Sequence, residues 1–207
     1  MTSQIGTVVA SGDRWATVSR STRETQITLT LKLDGTGETK IATGVGFFDH
    51  LLDAFAHHGL FDLEIEATGD LVVDEHHTVE DVALVLGAAF AQALGDRSGI
   101  ERFGDAAVPM DESVATAVVD VGGRPYAVVD LPFRGERIGA LPTQLVEHAL
   151  EAFARASGTT LYLRGSGRND HHLAEAAFKA LARALRAAVA EDPRRLGGVA
   201  STKGSLG

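Results

Sequence analysis

The chain carries one helix-opening pattern twice, His76-His77-Thr78-Val79-Glu80 and His171-His172-Leu173-Ala174-Glu175, which constrains it to fold as two copies of one unit. More of the sequence obeys the same rule. Leu52-Asp53-Ala54-Phe55-Ala56 returns as Leu150-Glu151-Ala152-Phe153-Ala154, which carries His50 onto His148, and Gly69 falls on Gly167 at the same offset of 98. The two His pairs lie 95 apart, so the second copy is three residues shorter in the loop before its helix. Glu24 aligns with Glu112 near the start of a strand in each half. A repeat that keeps its order over this span is a duplication.

Alternating hydropathy predicts strands over Arg14–Arg20 and Glu24–Leu33, the second with Ile27, Leu29, Leu31 and Leu33 on one face. Asp34-Gly35-Thr36-Gly37 is read as a turn back into a short third strand near Lys40. Helical spacing runs from Phe47 to His58 with Gly59 at C′, then a strand over Leu60–Ala67 and an Ala-rich helix over His76–Leu94. The second half repeats this order. It gives strands over Glu112–Val121 and Tyr126–Leu131 around Gly122-Gly123, a helix over Thr143–Ala156, a strand over Thr160–Arg164 and a helix over His171–Ala190.

The expected fold class is α+β, internally duplicated. Each half is a small, mostly antiparallel sheet covered by two helices, and the halves pack helix layer to helix layer, because neither helix pair is buried by its own sheet alone. The expected boundaries are 12–98 for the first repeat, 99–195 for the second and 196–207 for a C-terminal tail that contributes to the active site. Gly95-Asp96-Arg97-Ser98-Gly99 is a turn rather than a linker, so the halves should fold as one cooperative unit.

Nineteen basic residues against 28 acidic ones give a formal net charge of −9. That argues against nucleic acid or an anionic membrane as a partner and for small ligands and cations. With no cysteine, disulfides and thiolate metal sites are excluded, and His and carboxylate are the strong ligands left. No apolar run approaches the roughly 20 residues of a membrane span, and Met1 to Gly12 lacks the layout of a signal peptide. A cytoplasmic setting is expected.

On a helix, residues i and i+4 stand one above the other, whereas i and i+1 are about 100° apart. His76 with Glu80, and His171 with Glu175, can each chelate one ion, while His77 and His172 must reach a second one. His50 and His148, at equivalent places on the other helix of each half, supply a further ligand. Grouped by symmetry, one ion takes His50, His76, Glu80 and His172, and the other takes His148, His171, Glu175 and His77. The exchange could run within one chain or between neighbours. Three imidazoles and a carboxylate with open positions suit Mn²⁺, Fe²⁺ or Zn²⁺ and favour catalysis over a closed structural site.

Arg102, Arg124 and the run Ser201-Thr202-Lys203-Gly204 have the chemistry to hold a phosphate through charge-assisted and backbone hydrogen bonds. His57 and His58 are expected to cap the end of their helix, and the loop Arg164 to Asp170 to aim the second metal helix rather than to cradle phosphate.

Taken together, Phe48-Asp49-His50, Asp74 to Asp81, Asn169 to Glu175 and Ser201 to Gly204 resemble the imidazoleglycerol-phosphate dehydratase family, over a match from about Arg14 to Lys203. The resemblance is to the single-function form. It implies a hydro-lyase that converts imidazole glycerol phosphate to imidazole acetol phosphate in histidine biosynthesis, through a metal-stabilised imidazolate and a diazafulvene-like intermediate. It also implies two Mn²⁺ per active site, a homo-oligomeric 24-mer built from trimers, and sites formed where subunits meet. On this basis the eight residues grouped above are the metal ligands, and Glu24, Glu80 and Glu175 are catalytic candidates. Glu24, Arg102, Arg124, Ser201, Thr202 and Lys203 become the substrate contacts. The rival readings are a binuclear metallohydrolase of a phosphate ester and an oligomer merely cemented by metal.

Overall fold

The computed structural model describes residues 5–195 and 197–206. Leu196, where the expected tail begins, and Gly207, where it ends, lie outside the described residues. A first sheet contains β1 (Thr7–Gly12), β2 (Trp15–Ser21), β3 (Thr25–Lys32), β4 (Thr39–Ala42) and, after helix α1 (Gly46–Gly59), β5 (Asp62–Gly69). Helix α2 (His76–Leu94) leads to the second sheet, made of β6 (Phe103–Met110), β7 (Ser113–Asp120), β8 (Tyr126–Asp130) and β11 (Thr160–Ser166). A two-residue pair, β9 (Arg137–Ile138) and β10 (Leu141–Pro142), introduces α3 (Thr143–Ser157), and α4 (Asp170–Ala188) follows β11.

The duplication is visible in the pairing. The first sheet has the order β1-β2-β3-β5-β4 and the second β6-β7-β11-β8, so the second repeats the first without β1. Each is antiparallel except for one parallel pair at an edge, β4 with β5 and β8 with β11. Even the register agrees: Leu29 faces Ile65 in one half, and their equivalents Ala117 and Leu163 face each other in the other.

Each long helix lies on its own sheet, α2 against β2 and β3, and α4 against β6 and β7. The shorter helices do something else. α1 packs against α4, and α3 against α2, so the helix layer is stitched across the halves. Phe153 of α3 joins both sides of this core, with ring centroids 6.1 Å from Phe55 and 5.6 Å from Phe90. The crossing is close because Gly87 has no side chain: a Cβ there would stand 2.7 Å from the Phe153 carbonyl oxygen. Among the described residues, no helix is long and apolar enough to cross a membrane.

Two local expectations are corrected, and two strands were not expected. The strand near Lys40 does not turn back on β3 but pairs parallel with β5, from Thr39 opposite Leu63 to Ala42 opposite Glu66. The cause is Asp62, whose Oδ1 accepts the backbone N–H groups of Thr36 (2.7 Å), Gly37 (3.2 Å) and Glu38 (3.2 Å) and draws the turn to β5. The left-handed residue closing α1 is Leu60 (φ 54°), not Gly59. Gly59 serves packing instead, since a Cβ there would collide with the buried Phe61 ring, while the residue equivalent to Leu60 in the second half is Gly158 (φ 68°). The unexpected strands are β1 and β6, at the edges of the two sheets. β1 is exposed throughout, and β6 contains Gly104 and Pro109, which an edge strand tolerates.

Candidate metal centre

The stitching of α1 to α4 sets the first cluster. Glu175 is buried, with 7% of its side chain exposed, and its Oε1 lies 2.9 Å from both His50 Nε2 and His171 Nε2. Lys179, one turn along α4, donates to Oε2 at 2.6 Å. Burial pushes the Glu175 carboxyl up, but the hydrogen bonds from His50, Lys179 and His171 outweigh it and hold it at about 2. Phe47 walls one side, 4.9 Å from the His171 ring centroid and 5.9 Å from that of His50.

The stitching of α2 to α3 sets the second cluster. His76 and His148 stack with centroids 5.0 Å apart, and Glu80 sits between them, Oε1 at 3.3 Å from His148 Nε2 and Oε2 at 3.9 Å from His76 Nε2. Three ligand atoms within 4.8 Å of one another occur in each cluster. A divalent cation fits here on a second ground. His148 Nε2 is buried without a hydrogen-bond partner, being out of line with Glu80, and a ligated ion would satisfy it.

The grouping expected from symmetry is therefore corrected. His50 joins His171 and Glu175 rather than His76 and Glu80, and His148 joins His76 and Glu80 rather than His171 and Glu175. Each cluster takes its chelating pair from one repeat and its lone imidazole from the other, because the helices pack across the halves. His77 and His172 stand in neither cluster. His77 Nδ1 lies 3.0 Å from Asp70 Oδ2 and 3.8 Å from Glu24 Oε2, and His172 Nδ1 lies 2.8 Å from Glu112 Oε2. Hydrogen bonding to Asp70 raises the His77 pKa, and the His172 contact, against burial and with backbone donors, holds Glu112 at about 2. A carboxylate at Nδ1 fixes each ring and turns Nε2 away from it, where the Nε2 of His172 lies 3.5 Å from Asn169 Nδ2 and 3.8 Å from Asp111 Oδ2.

Helix α4 is opened by Asn169, whose side chain accepts from the His171 and His172 backbone N–H groups, and α2 by Asp74, which accepts from His76 N at 2.8 Å. The backbone donors of Arg168 and Asn169 are taken by Glu112, so the loop aims the helix rather than holding an anion. Arg102, Arg124, Ser201, Thr202 and Lys203 line one cavity of about 580 Å³. Arg102 grips Asp120 through Nε (2.7 Å) and one terminal nitrogen (2.9 Å), and its other terminal nitrogen holds the Ala200 carbonyl at 2.5 Å, pinning the tail. Arg124 is largely exposed there.

A model of the imidazoleglycerol-phosphate dehydratase family matches residues 43–185. The chain belongs to that family. It is 54% identical over 194 residues to the imidazoleglycerol-phosphate dehydratase of Gluconacetobacter diazotrophicus, covering 93% of this chain and 98% of that protein. It is 56% identical over 193 residues to that of Methanoculleus marisnigri, covering 93% and 100%. Crystal structures of the enzymes from Staphylococcus aureus and Pyrococcus furiosus superpose with a TM-score of 0.78 each. Their identities are 34% and 35%, and they cover 86% and 91% of this chain and 99% of each of theirs.

As an imidazoleglycerol-phosphate dehydratase family member the chain is a carbon–oxygen hydro-lyase. Three contributors to its site escaped the sequence: Lys179, Asp70 and Arg155, whose guanidinium donates to Glu80 Oε1 at 3.1 Å. Lys179 had a local signal, four residues beyond Glu175 on the same helix face. Arg155 and Asp70 had none, because their partners belong to other elements. His57 and His58 end α1 as expected, their rings edge-on at 5.4 Å, and burial together with the Lys179 charge lowers the His58 pKa.

Proposed function

We propose that this chain dehydrates imidazole glycerol phosphate to imidazole acetol phosphate in histidine biosynthesis, in the cytoplasm, using two Mn²⁺ per active site. The observation that carries it is the pair of His₂Glu clusters, each built from both repeats. Neither contains an aspartate, which weighs against an Asp-rich binuclear hydrolase. Bound at these clusters, Mn²⁺ would supply Lewis acidity that favours the anionic form of the substrate ring and a template that orients it.

The residues of the chain divide the remaining work. The hydrogen at the carbon bearing the surviving hydroxyl is not acidic, so hydroxide must leave first with help from the ring. Glu24, half-exposed beside His77, is the candidate to move protons near the glycerol hydroxyls. Lys203, Ser201, Thr202 and Arg124 would take the phosphate, and Arg102 would hold the tail that carries the first three.

Helix length supports a site shared between subunits. α4 has 19 residues, about 28 Å. His171 stands at its N-terminal end, whereas Arg102 donates its backbone N–H to the Ala188 carbonyl, 2.8 Å away, at the other. Within one chain the phosphate cavity and the chelating pair are therefore a helix length apart. We propose that a second copy brings its tail, and His77 or His172, to complete a site. This favours a homo-oligomer, for which we propose the 24-mer of trimers. Assay of imidazole glycerol phosphate dehydration with Mn²⁺ and with a chelator tests the reading. Turnover should follow metal content, and release of inorganic phosphate in place of the ketone would overturn it.

A further inference from the structure

Glu80 and Glu175 hold equivalent places in the two repeats, yet the cation that grips each carboxylate comes from a different helix. In the second repeat it is Lys179, on the same helix as Glu175 and bound to Oε2 at 2.6 Å, which leaves Oε1 to the two imidazoles. The matching position in α2 is Leu84, which offers no charge. There the cation is Arg155, reaching across from α3 to Glu80 Oε1 at 3.1 Å. The residue matching Arg155 in the first repeat is His57, so neither cation is a relic of the duplication.

The geometry points to Arg155 as the positioning residue of the His76, Glu80 and His148 cluster. Its role presupposes the metal ion proposed above. Glu175 is walled in by its surroundings, with 7% of its side chain exposed, whereas Glu80 is 29% exposed and free to swing into water. Arg155 takes one lone pair of Oε1, the oxygen that also faces His148, and thereby turns Oε2 towards His76. The carboxylate is held between the two imidazoles before any cation arrives. A partner that orients a metal ligand in this way is worth roughly 10- to 100-fold in metal affinity. Arg155 touches no reacting atom in this arrangement, and its effect runs through Glu80.

The test is Mn²⁺ titration of the chelator-stripped full chain, with free Mn²⁺ followed by electron paramagnetic resonance and the oligomeric state followed by light scattering. For Arg155→Met, one class of site should weaken by about 10- to 100-fold while the other stays at the wild-type value. Arg155→Lys should restore most of the loss, and Glu80→Gln should abolish the same class. Superimposable isotherms for wild type and Arg155→Met, with Glu80→Gln still losing a class, would overturn the positioning role and leave the metal reading standing. Failure of the wild-type chain to take up Mn²⁺ at all would bring down both.

Discussion

His50 and Glu175 are 125 residues apart in the chain and 2.9 Å apart in space. One stands on α1 and the other on α4, and the contact exists because those helices pack across the two halves. A candidate ligand set that straddles the repeats would make metal binding depend on the docking of the halves.

Ion counting in double variants follows from that contact. His50→Ala and Glu175→Gln strike the same cluster, so the combined variant should keep about one of two Mn²⁺ per chain. His50→Ala with Glu80→Gln strikes both clusters and should lose both ions. Metal analysis of the purified variants distinguishes the pairs, and the opposite pattern would restore the grouping expected from symmetry.

Lys203 lines the tail cavity with Arg102, which meets the end of α4 opposite the His171–Glu175 pair of its own chain. Lys203→Ala should raise KM for the phosphorylated substrate about tenfold or more, the worth of a hydrogen bond to a charged group, about 1.5–3 kcal/mol. Metal content should not change. Steady-state kinetics with an unaltered KM would take the tail out of the site.

Gly87 lies where α2 crosses α3. Alanine in a helix ordinarily stabilises by about 1 kcal/mol over glycine. Here its Cβ would meet the Phe153 carbonyl oxygen at 2.7 Å and the Ser157 nitrogen at 2.9 Å, and backbone atoms of a packed helix cannot step aside. Overpacking of this kind costs about 1–3 kcal/mol, so Gly87→Ala should be net destabilising. A denaturant midpoint at or above that of the wild type would contradict the close crossing.

Asp62 should make stability depend on pH in a defined direction. Burial pushes its carboxyl up, but the N–H groups of Thr36 and Glu38 and the Lys32 ammonium outweigh that and depress it below the usual 3.8. A depressed carboxylate stabilises the fold above its unfolded value, and the gain disappears as pH falls through the folded one. The stability difference between wild type and Asp62→Asn should stay flat from about pH 5 to 8, at about 1–2 kcal/mol, and shrink below about pH 4. Urea unfolding across that range checks it, and a difference that grows in acid would refute the assignment.

Much of the fold was legible because its causes are local. The span of α2 follows from helical spacing, and β3 from strict alternation, with Ile27, Leu29 and Leu31 buried as expected. Leu60 and β4 were misread for reasons outside their own segments: the Phe61 ring claims the space beside Gly59, and Asp62 draws the turn away from β3. The edge strand β1 is exposed throughout, and β6 alternates in burial but is interrupted by Gly104 and Pro109, so neither presents the apolar alternation that announces β3.

By itself the sequence determined the duplication, the i, i+4 chelating pairs and the need for His77 and His172 to look elsewhere, since each follows from the angular spacing of residues on one helix. Only the tertiary structure decided which lone histidine meets which pair, that Lys179 and Arg155 grip the two carboxylates, and that the cavity lined by Arg102, Arg124 and Lys203 sits at the far end of α4. Those are contacts between separate elements. They depend on which helix faces which across the core, and two halves of like sequence leave both pairings open until burial of the helix faces selects one.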